Sequence, residues 1–310
     1  MRPAFSVILF TVLSGAGLGL FALLAIVHLT GWNAAPGPAM HLTAGVLALA
    51  LVAGGLLSST LHLANPRNAW RAVTRFRTSW LSREGVLALL YFPVALGYLA
   101  SVHLAWPSAW QTALGLAGIA LAWAVLFSTG MIYACLKTIP QWHNRLVPAA
   151  YLINGHLSGG LILLALAAAE GKATGGYVAL VAIAVIAAGA IKWRYYRRFS
   201  PARTGTHSLA SAVGMTAAQA KLLDVGHTHG TFLTQEFVFR LGRERARLLR
   251  ALFFVFSVLI PAMVLVAGAG NAWILGVTAL LCLTGLLIER WLFFAEAQHV
   301  VRLFHGQQTV

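Results

Sequence analysis

Acidic charge is scarce in this chain: 7 Asp and Glu stand against 22 Lys and Arg in 310 residues, a formal net charge of +15 at pH 7. Charged residues of both signs make up only 9% of the chain, where soluble domains carry about 25%. That shortage excludes a soluble globular enzyme. Cysteine is scarcer still. Cys135 and Cys282 both fall in apolar runs, which excludes a disulfide framework and a cysteine cluster for zinc or iron-sulfur. The sequence also lacks G-x-x-x-x-G-K-S/T, a dinucleotide glycine fingerprint and H-E-x-x-H, so nucleotide hydrolysis is left without its motif.

What is present is apolar: 59% of residues belong to the AVILMFWYC set, and the mean hydropathy is +0.80. The basic excess therefore sits between apolar segments and reads as membrane topology rather than as a nucleic-acid surface. Eight runs approach the roughly 20 residues that a helix needs to cross a hydrocarbon core. They cover about 5 to 30, 42 to 62, 84 to 104, 109 to 136, 146 to 169, 175 to 195, 249 to 269 and 271 to 294. None shows the period-two alternation of a membrane barrel. The expected fold class is all-α, a polytopic bundle of eight transmembrane helices forming a single integral-membrane domain over 1–310. The first run outlasts a signal-peptide core and lacks a following cleavage site, so it is read as a retained helix. Gly15-x-x-x-Gly19 and Gly155-x-x-x-Gly159 are expected to serve helix packing.

Threading these spans places 21 of the 22 Lys and Arg on one side, with Lys172 alone on the other. By the positive-inside rule that side is cytoplasmic and holds both termini. The expected location is a bacterial inner (cytoplasmic) membrane. The one long connection, a cytoplasmic loop at about 196–248, lies within a 192 to 250 segment of 11 basic and 3 acidic residues. Its ends read as lipid-phosphate contacts. Its polar centre, 200 to 235, contains His207, His227 and His229 and reads as a docking surface for a cytoplasmic partner.

Glu84, Glu170, Asp224, Glu236, Glu244, Glu289 and Glu296 are all expected at helix ends or in loops, which leaves an ion pump without its mid-membrane carboxylates. His156 is expected to be the one deep ionisable residue, hydrogen-bonded in the core. His28, His41 and His103 read as interfacial side chains rather than haem ligands, and no metal site is expected. A solute transporter should show inverted repeats, and none is visible.

The densest chemistry joins spans two and three. His62 ends one span, Arg67, Arg71, Arg75 and Arg77 populate the connection, and Ser82-Arg83-Glu84 opens the next. A quinone headgroup needs donors for two carbonyls, groups that exchange two protons, and an apolar slot for its tail. His62 and Glu84 are the expected proton-handling pair, and His62, Arg67, Arg71, Arg75, Trp80, Ser82, Arg83 and Glu84 the expected quinone-binding set. The competing reading has Glu84 favouring the helix dipole and pairing with a loop arginine.

The stretch His62-Leu-Ala-Asn-Pro66-Arg-Asn-Ala-Trp70-Arg71, then Arg75 and Ser79-Trp-Leu-Ser82-Arg83-Glu84, resembles the dimethyl sulfoxide reductase anchor family (DmsC type). So do the opening Arg2-Pro-Ala-Phe5-Ser-Val, the Gly226-His-Thr-His-Gly-Thr-Phe-Leu-Thr-Gln-Glu236 segment and the Glu289-Arg-Trp-Leu-Phe-Phe-Ala-Glu296-Ala tail. Within it, the chain is most similar to anchors of cytoplasmic sulfite dehydrogenases (SoeC type). The resemblance implies eight helices, no haem, and a heterotrimer. A molybdopterin catalytic subunit would perform substrate chemistry, an iron-sulfur subunit would relay electrons, and this chain would exchange them with ubiquinone or menaquinone. It thus implies an oxidoreductase complex whose molybdenum chemistry is not on this chain. It also carries the family's quinone-associated histidine, basic residue and glutamate over to His62, Arg75 and Glu84. Asn68 departs from the family, which often has arginine there. Cytoplasmic placement of the basic face suits sulfite oxidation. The alternatives are an anchor of a DMSO or other oxyanion reductase running from quinol, and a purely structural anchor. Membrane lipids are the remaining expected partners, with no nucleic acid.

Overall fold

The computed structural model describes residues 4–32, 36–60, 66–173, 175–199, 208–216, 220, 245–268 and 270–305. Among them there is no β-strand, and eight helices are long and apolar enough to cross a membrane. They are α1 (Phe5–Thr30), α2 (Pro38–Thr60), α3 (Trp80–His103), α4 (Ser108–Ala134), α5 (Leu146–Ala169), α6 (Gly175–Arg198), α7 (Ala246–Val266) and α8 (Ala272–Ala295). The all-α eight-span bundle expected from the sequence is the architecture found.

Capping chemistry explains where the helices depart from the apolar runs. A reading that starts each span at its first apolar stretch begins α3 at residue 84, yet the helix begins at Trp80 because the Ser79 hydroxyl accepts the Ser82 amide at 3.3 Å. The polar Ser82-Arg83-Glu84 triplet is therefore helical. Pro38 opens α2 four residues early, its fixed φ suiting a first helical position. Asn271 starts α8 by accepting the amides of Trp273 and Ile274 at 2.9 and 3.2 Å. In α7, Pro261 lacks an amide to donate, and the turn before it widens to a π-helix over Val255–Leu259. Ser257 there donates to the Cys282 carbonyl at 3.2 Å.

The core is organised on α1, which packs against α2, α4, α5 and α8. Of its most apolar stretch 83% is buried, against 17% for α7, which makes α1 the axis and α7 peripheral. The two G-x-x-x-G pairs form one seam. A Cβ on Gly19 would overlap the Gly155 carbonyl, and one on Gly159 would overlap the Leu20 amide. Only glycine lets these backbones approach so closely. By contrast, α2 leans on α1 and α3 on α4, with slight contact between α2 and α3. Leu89, Leu90, Leu96, Ile183, Ile186 and Leu280 are exposed. On a protein solvated by hydrocarbon these side chains face their own solvent.

Candidate functional site

Between α2 and α3 the backbone forms a 3-10 helix over Pro66–Arg75 that rests on the start of α3. Arg67, Arg71 and Arg75 are all exposed, and the Arg71 guanidinium stands 5.7 Å from the ring of Trp70. Arg83 is committed elsewhere. Its Nε donates to the Phe76 carbonyl at 3.0 Å, its Nη2 to the Arg77 carbonyl at 2.7 Å, and its guanidinium carbon lies 4.2 Å from the centre of the Trp80 ring. These contacts tie the connection to the first turn of α3. Trp80 meets Phe127 of α4 edge-on at 5.8 Å.

Ser82 and Glu84 turn inward. Glu84 is 3% exposed and accepts a hydrogen bond from the Thr129 hydroxyl of α4. Among the described residues no ion pair reaches Glu84, so the alternative of pairing with a loop arginine is overturned. The cause is geometric: the carboxylate lies in the α3–α4 packing, whereas the arginines stay at the aqueous boundary. The structure thus gathers Trp80, Ser82, Arg83 and Glu84 on the opening of α3. It leaves Arg67, Arg71 and Arg75 on the exposed 3-10 helix at the same end. His62, the remaining expected member, lies outside the described residues, as does most of the 200 to 235 segment.

Two sequence expectations fail within the bundle: Glu289 at a helix end, and His156 as the one deep ionisable group. Instead Glu289 of α8 is fully buried in an ion pair with Lys192 of α6, and Arg290 Nη1 approaches the same carboxylate at 3.4 Å. The Arg290 guanidinium also lies 3.5 Å from the centre of the Tyr151 ring of α5. At the adjoining helix ends Arg250 holds Glu296 at 2.5 Å. Burial pushes the Glu296 carboxyl above the usual carboxylate range, with Arg250 opposing it. Charge so deep survives because each group has an opposite partner, and the usable sequence signal is a Lys and a Glu-Arg pair inside otherwise apolar stretches.

His156 is hydrogen-bonded as expected, but it is half-buried rather than in the core. Its Nε2 accepts from the Trp123 indole at 2.9 Å, and its Nδ1 lies 2.8 Å from the Leu152 carbonyl. At the end of the bundle opposite Glu84, His41 on the first turn of α2 is buried, 3.4 Å from the Tyr98 hydroxyl and with its ring 4.9 Å from that of His28. Among the described residues no group of three or more His, Cys, Asp or Glu could hold a metal ion.

Fold and site together define a multi-pass membrane protein whose polar chemistry is concentrated at one basic end, where a buried carboxylate lies beneath an arginine-rich surface. Comparison with known proteins narrows that class. Residues 1–295 match the family model described as DMSO reductase anchor subunit (DmsC), and the chain belongs to that family. It is 29% identical to the C subunit of sulfite dehydrogenase from Allochromatium vinosum, over 98% of this chain and 99% of that protein. It is 26% identical to the C polypeptide of anaerobic dimethyl sulfoxide reductase from Escherichia coli, over 59% of this chain and 65% of that protein. The YnfH polypeptide of an anaerobic dimethyl sulfoxide reductase from Escherichia coli is 29% identical, over 51% of this chain and 56% of its own length.

Proposed function

We propose that this chain is the quinone-reactive membrane anchor of a molybdopterin oxidoreductase, passing electrons between an iron-sulfur subunit and membrane quinone in the oxidation of sulfite. Glu84 carries the reading. It is a buried carboxylate near the membrane boundary, held by one hydroxyl and by no cation among the described residues. Such a group is free to gain or lose a proton without breaking an ion pair. The exposed guanidinium groups of Arg67, Arg71 and Arg75 supply hydrogen-bond donors at the same end, with His62 as the second proton-handling group. Since α2 and α3 touch only slightly, an isoprenoid tail would lie between these two apolar helices. Quinone, when bound, supplies a two-electron, two-proton carrier, and Glu84 exchanges one of those protons with a headgroup oxygen.

Sulfite is favoured over other substrates because the sulfite dehydrogenase relative spans nearly all of both sequences, whereas the dimethyl sulfoxide reductase relatives match about half to three-fifths of this one. The second reading, the anchor of a reductase fed by quinol, draws on those latter relatives and uses the same site in reverse. On either reading the partners are a molybdopterin catalytic subunit and an iron-sulfur subunit docked on the basic, cytoplasmic face. The chain is a single membrane domain with its long loop, residues 196–248, on that face.

The test is Glu84→Gln in the assembled complex, which keeps the side-chain volume and removes the exchangeable proton. Quinone-linked turnover should fall by about 10²- to 10⁴-fold, while sulfite oxidation with an artificial acceptor persists, since that chemistry belongs to other subunits. Undiminished quinone turnover removes Glu84 from the site. Oxyanion reduction without sulfite oxidation moves the assignment to the second reading.

A further inference from the structure

Beside the partners of Glu84 lies a second set of buried polar atoms that the proposed site does not use. Tyr133, one turn beyond Thr129 on α4, stacks on Tyr151 of α5 with ring centroids 5.9 Å apart and planes at 18°. Glu84 and Arg290 both lie within electrostatic reach of these two tyrosines. The Tyr151 hydroxyl and both amide atoms of Asn154, one turn along α5, are buried and have no hydrogen-bond partner among the described residues. Burying such groups unpaired is costly. Tyr151 and Asn154 line a small cavity, about 10 Å³, walled also by Thr11, Ser158 and Arg290. A buried water needs roughly that space and two to four polar partners, and the walls of this cavity supply them. Arg290 is fixed there by Glu289, which also holds Lys192.

We propose that this cavity holds an ordered water and that the Tyr133 and Tyr151 hydroxyls couple it to Glu84 as a proton relay. The inference rests on Glu84 being the proton partner of quinone. When Glu84 gives its proton to a quinone oxygen, it regains one through a tyrosine hydroxyl, which is reprotonated by the water, and the aqueous phase restores the water. Only O–H bonds form and break, and the electrons come from the iron-sulfur partner. Reversal of every step serves quinol oxidation.

The test uses the whole complex with Tyr151→Phe, which keeps the ring between Tyr133 and Arg290, and Asn154→Leu, which fills the cavity with apolar volume. Both should lower quinone-linked turnover by about 10-fold or more, leave the KM for quinone unchanged and raise the solvent deuterium isotope effect on that turnover. A purely structural role would not move the isotope effect. Asn154→Ser, which keeps space and a polar group, should recover most of the rate. Yield of assembled complex and artificial-acceptor activity report folding. If Asn154→Leu fails to assemble, Tyr151→Phe decides alone. Native turnover and isotope effect in these variants, with Glu84→Gln still impaired, overturn the relay and leave the site standing. Native turnover in Glu84→Gln as well overturns both.

Discussion

Thr129 and Arg83 show how single side chains hold the basic end together. The Thr129 hydroxyl has one proton to share between Glu84 and the Val125 carbonyl, 2.9 Å away, and so links the carboxyl to its own helix. A hydrogen bond to a charged group contributes about 1.5–3 kcal/mol. Thr129→Val, nearly isosteric, should therefore weaken quinone-linked turnover by roughly 10-fold, read against unchanged artificial-acceptor activity. Equal turnover in the variant would show that this hydroxyl does not tune Glu84. Arg83 acts on the connection instead, through two carbonyls and the Trp80 ring. Lysine cannot reproduce that planar fork. Arg83→Lys should speed tryptic cleavage at Arg75 and Arg77, and limited proteolysis with mass spectrometry would detect the change.

At the scale of helices, two contacts dominate. The glycine seam between α1 and α5 admits no Cβ at Gly19, whereas Gly54 on α2 faces open space. Overpacking a close interface costs about 1–3 kcal/mol, so Gly19→Ala should lower the Tm of the purified protein while Gly54→Ala leaves it near native. Thermal denaturation in detergent distinguishes the two. Across α6 and α8, Lys192 faces Glu289. Glu289 is the shared partner of Lys192 and Arg290, so removing it strands buried cations, a loss of about 3–5 kcal/mol. Glu289→Met is therefore expected to sharply reduce the yield of folded protein, and expression of a fluorescent fusion followed by size-exclusion chromatography would reveal it.

For the whole molecule, the basic charge carries the orientation expected from the sequence. Threading the spans assigns 21 of 22 Lys and Arg to one side, so reporter fusions at the C-terminus and within residues 200 to 235 should both place those segments in the cytoplasm. Periplasmic signals would invert the molecule and remove the argument for a cytoplasmic sulfite-oxidising complex. Exposed Arg194, Arg197 and Arg198 close α6 at that same end. Removing their charge should release the proposed soluble partners at lower salt without changing the Glu84 site, since exposed charge governs association more than pocket chemistry.

How much of the fold and site is legible in the sequence follows from the range of each interaction. Eight spans, their order and the basic end are set by the sequence alone, because hydrocarbon thickness and backbone hydrogen bonding act on contiguous residues. Ser79-x-x-Ser82 and Asn271 mark their caps within one turn. The pairing of Gly15 and Gly19 with Gly155 and Gly159 can be anticipated as packing, but not which glycine meets which carbonyl. Glu84 stands out as a carboxylate at a membrane boundary, yet its partner is Thr129, 45 residues away. The Lys192–Glu289 pair joins side chains 97 residues apart. Tyr151, Asn154 and Arg290 surround one cavity from two helices, with Thr11 from a third. Such neighbours have no local signature, because which face of each helix turns inward depends on how all eight pack around α1, and only the tertiary structure decides that.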